Sequence, residues 1–98
     1  MLEHGKKISK DLSEFLKFYL KGDDLKNVSE ELSNDGYKVT VSLLRMVLNR
    51  TNNITEDNNM SAIEKLIVIA ARKRRITSPK FNKVMKDYSD IINRYKTK

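Results

Sequence analysis

The densest run of charge is Arg72-Lys73-Arg74-Arg75, four consecutive cations that span a full helical turn and so cannot share one face. Two chemistries suit such a run. At the C-terminal end of a helix the cations complement the macrodipole. Alternatively some of them, with Lys80, Lys83 and Lys86, hold phosphates and set affinity without specifying sequence. The carboxylates offer less. Asp23 with Asp24, Glu30 with Glu31 and Glu56 with Asp57 are adjacent pairs that diverge on a helix or lie in a loop, so they build no convergent acid–base site. One histidine, His4, near a start expected to fray, and no cysteine exclude a disulfide framework and a thiolate metal site. No phosphate loop of the G-x-x-x-x-G-K type occurs. These residues predict a non-enzyme with no cofactor and no metal.

The placement of charge says more than its total of +7. Residues 1–59 carry nine Lys and Arg against ten Asp and Glu, net −1, whereas residues 60–98 carry eleven against three, net +8. Such asymmetry suits a partner of dense negative charge, nucleic acid first and anionic membrane second, because each contacted phosphate releases condensed counterions. The plain alternative is a solvated helix surface. The longest apolar run, residues 67–71 with Leu66 before it, falls far short of a membrane span, and the first 25 residues show no signal-peptide core. A soluble cytoplasmic protein is expected.

Ninety-eight residues suit a single domain over 1–98, and three Gly with one Pro favour helices over a sheet. Five helices are predicted, an all-α compact bundle. The first covers about 9–21, with Leu12, Phe15, Leu16, Tyr19 and Leu20 on one stripe, Ser9 or Asp11 as cap, and Gly22 as its left-handed stop. The second runs from Asp23 or Asp24 to about Ser33, carrying Leu25, Val28 and Leu32 inward, and ends at the turn Asn34-Asp35-Gly36. The third begins with Thr40 as N-cap and continues to about Arg50 over Leu44, Val47 and Leu48. Residues 51–59 read as a polar loop in which Ile54 tucks inward. The fourth helix, about 60–75, is apolar on nearly every face after Lys65, as expected of the central core helix. Thr77, Ser78 and Pro79 stop it and start the fifth, about 79–95. There Phe81, Val84, Met85, Tyr88, Ile91, Ile92 and Tyr95 form a stripe facing either the core or a second copy.

Residues 24–50 have the layout of a helix-turn-helix. Such a pair needs small or branched aliphatics where the helices cross, a turn residue tolerant of positive φ, here Gly36, and short polar side chains at the N-terminal end of the second helix to reach base edges. The segment from Val39 to Thr51, V-T-V-S-L-L-R-M-V-L-N-R-T, resembles the recognition-helix region of lactose-repressor-type and phage-repressor (Xre/Cro-like) regulators, which commonly read V-S-x-x-T-V-S-x-V-L-N-x. The resemblance covers about residues 15–75. The interval between Leu32 and Val39 is several residues longer than that family's turn and is similar to the arginine-repressor type of winged helix, although no strand pair follows Arg50. Leu43 and Leu44 stand where the family has a Thr-Val pair.

What the resemblance implies is a DNA-binding transcriptional regulator, a bacterial or phage-type repressor, with the third helix in the major groove of double-stranded DNA. Base contacts would fall to Val41, Ser42, Arg45, Met46 and Asn49, Arg45 gripping the O6 and N7 of guanine. Phosphate contacts would fall to Thr40, Lys38, Arg50, Arg72, Lys73, Arg74, Arg75 and Lys80. A homodimer through the stripe from Phe81 to Tyr95 would read two half-sites. Phe18 and Tyr37 are the aromatics that no stripe explains. Two other readings stay open: a non-enzymatic helical interaction module, antitoxin-like or adaptor-like, and RNA binding through the basic second half.

Overall fold

The apolar spacing is resolved into helices wherever a cap fixes a start. The computed structural model describes residues 2, 5–51, 53, 54, 57–73 and 81–96. Among them run α1 (Lys10–Tyr19), α2 (Gly22–Asn34), α3 (Val41–Leu48), α4 (Asp57–Lys73), α5 (Asn82–Asp87) and α6 (Ser89–Lys96). The fold is all-α. Of the two candidate caps for α1, Ser9 is the one used: its Oγ accepts from the Leu12 amide at 3.1 Å. Leu12, Phe15 and Leu16 then fall inward and are fully buried.

At the centre lies α4, which packs against α1, α2, α3 and α6. Ala62, Ile63, Leu66, Ile67 and Ala70 are fully buried, so the apolar run is covered on several sides, as the sequence requires. Asp57, Asn58 and Asn59, expected in the loop, belong to the first turn of α4. The Cα radius of gyration is 12.5 Å, against about 12.6 Å for a fully compact chain of this length, so the described helices all lie close about one core.

Three further expectations are corrected. Gly22 does not terminate the first helix with a left-handed residue; it opens α2. The chain instead turns through two extended residues, Leu20 (φ −90°, ψ 146°) and Lys21 (φ −119°, ψ 172°). The Asp24 carboxylate accepts from the Lys21 amide at 2.8 Å, which decides that a helix starts here. The fifth helix is two helices, broken at Tyr88 (φ −111°, ψ 18°). Its bend keeps the Tyr88 ring buried, with the hydroxyl hydrogen-bonded to Ser9, while α6 packs on α4. The third concerns the start of the chain, which does not fray at residues 5–8. Lys6 and Ile54 form an isolated antiparallel bridge, Ile54 donating to the Lys6 carbonyl at 2.8 Å. Burial of the Ile8 and Ile54 side chains, each worth about 2 kcal/mol, pins both stretches. His4 and the cap Thr77-Ser78-Pro79 lie outside the described residues.

The stripe offered for a second copy is largely used within this one. Phe81, Val84 and Tyr88 are buried in the chain's own core, leaving Met85, Ile91 and Ile92 half-exposed; the Tyr95 side chain lies outside the described part. Phe81 docks on α1 with its ring centroid 5.3 Å from Phe15 and 5.6 Å from Phe18. That accounts for Phe18, which borders this cluster while remaining 66% exposed. No helix among the described residues is long and apolar enough to cross a membrane.

Candidate nucleic-acid interface

Both helices of the hairpin are set by their ends. Thr40 is the N-cap of α3, its Oγ1 accepting from the Leu43 amide at 3.1 Å, so the helix starts at Val41 as the sequence predicts. Immediately before it the Ser29 hydroxyl of α2 donates to the Val39 carbonyl at 2.5 Å, fixing the angle at which α3 leaves the turn. At the other end of α3 the buried Ser13 hydroxyl donates to the Leu48 carbonyl at 2.5 Å.

Each helix closes with the paired bonds of a Schellman motif. In α2, Tyr37 donates to the Leu32 carbonyl at 2.9 Å and Gly36 to Ser33 at 3.1 Å, with Gly36 at φ 92°. In α3, Thr51 donates to the Met46 carbonyl at 2.9 Å and Arg50 to Val47 at 3.1 Å, with Arg50 at φ 61°. The third helix therefore ends at Leu48, earlier than expected, because Arg50 is its left-handed cap.

With Leu44, Val47 and Leu48 buried, the opposite face of α3 carries Ser42, Arg45, Met46 and Asn49, all exposed and related by three-, four- and seven-residue steps. The structure thus brings four of the five residues expected at base edges onto one outward stripe; Val41, the fifth, is half-buried beside it. Met46 keeps 44% of its surface exposed and Tyr37, in the turn before α3, 46%.

The residues expected at phosphates separate. Thr40 and Lys38 are exposed at the start of α3. Arg50 is engaged elsewhere, because its Nε donates to the Ile8 carbonyl at 2.8 Å and ties the end of α3 to the first stretch of chain. Lys73 pairs with Asp24 at the start of α2, while Arg72 turns to a hollow with Val68, Ala71, Met85 and Ile92. Arg72 and Lys73 accordingly point apart, as consecutive helical residues do. Arg74, Arg75 and Lys80 lie outside the described residues.

Sequence reasoning missed Lys17 and Lys21. They line a hollow of about 270 Å³ with Arg45, Leu20, Gly22, Leu25, Leu48 and Asn49. The Arg45 guanidinium leans over Gly22, so close that a Cβ there would stand 3.3 Å from Nη2. Sequence spacing carries no signal for this pair, since Lys21 lies beyond the end of α1, in the extended junction before α2. Beside the hollow, burial alone would push the Asp24 carboxyl up. The hydrogen bonds from Lys73 and the Lys21 amide, with the charges of both lysines, outweigh burial and hold its pKa below the ordinary value.

No protein-family model, curated protein or solved structure matches this chain.

Proposed function

We propose that this chain is a sequence-specific DNA-binding protein, a transcriptional regulator of repressor type, in which α3 enters the major groove. One observation carries the reading: Ser42, Arg45, Met46 and Asn49 form an exposed stripe on a helix capped at both ends, with cationic side chains beside it. An α-helix is about 10–12 Å across its side chains, which a major groove about 12 Å wide admits. The chemistry of the stripe suits base edges. Asn49 can bond adenine N6 and N7 together, Ser42 accepts or donates, and Met46 offers an apolar contact for a thymine methyl group. A helix of this size reaches only a few base pairs, so two copies reading half-sites about 34 Å apart would complete an operator, joined through Met85, Ile91 and Ile92.

Selection from a random duplex library with the purified chain tests the reading. An enriched motif is expected, with affinity that falls steeply as salt rises. Asn49→Ala should relax choice at one base position by about 1–3 kcal/mol and leave the fold intact. A library that returns random sequence, with no salt-dependent binding to any duplex, would remove the regulator reading and leave a protein-interaction module or RNA binding through the basic half.

A further inference from the structure

The hollow between α1, the start of α2 and α3 is lined by three basic residues from separate parts of the chain. Lys17 and Lys21 come from the end of α1 and the junction after it, and Arg45 from the middle of α3. Like charges are not gathered without cost, and among the described residues no carboxylate lines this hollow. Close in sequence, Asp24 accepts from the Lys21 amide and pairs with the Lys73 ammonium while also feeling the Lys21 charge, and Asp23 is exposed outside the lining. The floor is apolar, made by Leu20, Leu25 and Leu48.

We infer that this hollow binds a phosphate group, with Arg45 as its guanidinium fork and Lys17 and Lys21 as flanking ammonium donors. The chemistry suits phosphate in two ways. A planar guanidinium pairs with two phosphate oxygens at once, and ammonium groups on either side reach the rest. The volume, about 270 Å³, lies just under the range of pockets that enclose whole drug-sized ligands, so it suits one anionic group and the carbon beside it. The Leu floor meets the carbon side of a sugar–phosphate. Gly22 is part of the site, because a side chain at that position would meet the Arg45 guanidinium. The α2 N-terminus is already capped by Asp24, so the cations and the cavity carry the site, not the helix dipole.

Assigned in this way, Arg45 grips the strand rather than guanine, and Ser42, Met46 and Asn49 are left to read bases. That the phosphate belongs to a DNA strand rests on the function proposed above; that the hollow takes phosphate does not. The test is a ¹⁵N NMR titration of the full chain with inorganic phosphate, against chloride at matched ionic strength, paired with salt-dependent duplex binding. Phosphate should move the Lys21, Gly22 and Asp23 amides and the Arg45 side-chain resonance saturably. The Lys17→Ala/Lys21→Ala variant should lose that response while keeping the wild-type dispersion elsewhere. On duplexes the same variant should weaken specific and random sequences alike and lower the salt slope by about 0.9 for one phosphate lost. Arg45→Ala should behave like the lysine variant, without changing the preferred sequence.

Hollow resonances that stay fixed, or shift equally in the lysine variant, overturn the proposal even where α3 binds DNA. A loss of base preference in Arg45→Ala with an unchanged salt slope overturns it too, returning Arg45 to the base edge. A saturable phosphate response with no duplex binding at any salt supports the anion site, names a free phosphorylated ligand as its source, and ends the DNA reading alone.

Discussion

The helices α2 and α3 end in the same hydrogen-bond pattern with different residues at the pivot. At the end of α2 the left-handed residue is Gly36, for which φ 92° carries no Cβ penalty. At the end of α3 it is Arg50 at φ 61°, a conformation that costs an L-residue about 1 kcal/mol. The difference lies in what else the pivot does. Gly36 only turns the chain; Arg50 also reaches the Ile8 carbonyl, a charged hydrogen bond whose net worth, about 1–2 kcal/mol, offsets the backbone cost. One end is shaped by backbone freedom, the other by a tertiary tie.

Substitutions break the comparison in a definite order. Gly36→Val should cost most, about 2–3 kcal/mol in urea unfolding. Nothing lies within 4 Å of a Cβ there, so the loss is backbone strain alone. Ser13→Ala should cost about 1–2 kcal/mol, since it removes the buried donor to the Leu48 carbonyl at the end of α3. At the second pivot, Arg50→Ala should cost about 1 kcal/mol while Arg50→Gly should sit near zero, because glycine loses the tie but also the strain. An equal loss from both variants would mean that the left-handed conformation is not strained.

The smallest effect sharpens the contrast with the junction before α2, where neither device is used and Asp24 does the capping. Its folded pKa is depressed, so its contribution is present above the ordinary carboxylate pKa and is lost as pH falls through the folded value. Acid unfolding of the wild type and of Asp24→Asn should therefore converge as pH drops below the carboxylate range. Their separation should be greatest near neutrality.

Legibility in the sequence depended on whether the deciding group was local. Thr40 as cap, Gly36 as turn and the inward set Leu44, Val47 and Leu48 are short-range signals, and each is found where the sequence puts it. Gly22 is ambiguous because glycine suits both the residue after a helix and the first residue of the next. Only the reach of Asp24 back to the Lys21 amide separates the two. The break at Tyr88 follows from its burial and its bond to Ser9, and the bridge of Lys6 with Ile54 joins distant segments; neither leaves a periodic trace. The outward stripe of α3 was legible for the same reason as its core face. The hollow was not, since Lys17, Lys21 and Arg45 meet only once α1 and α3 have packed.

The fastening of α3 to distant parts of the chain has one more consequence. Eight residues in isolation would spend most of their time uncoiled, as peptides shorter than about 12 residues do in water. Here the hydroxyls of Ser29 and Ser13 hold the Val39 and Leu48 carbonyls, and the guanidinium of residue 50 ties the far end to the Ile8 carbonyl, so the segment has no loose tip from which to unwind. Whatever docks on its outer side therefore meets a surface already shaped, and the entropy of ordering it was settled when the chain folded.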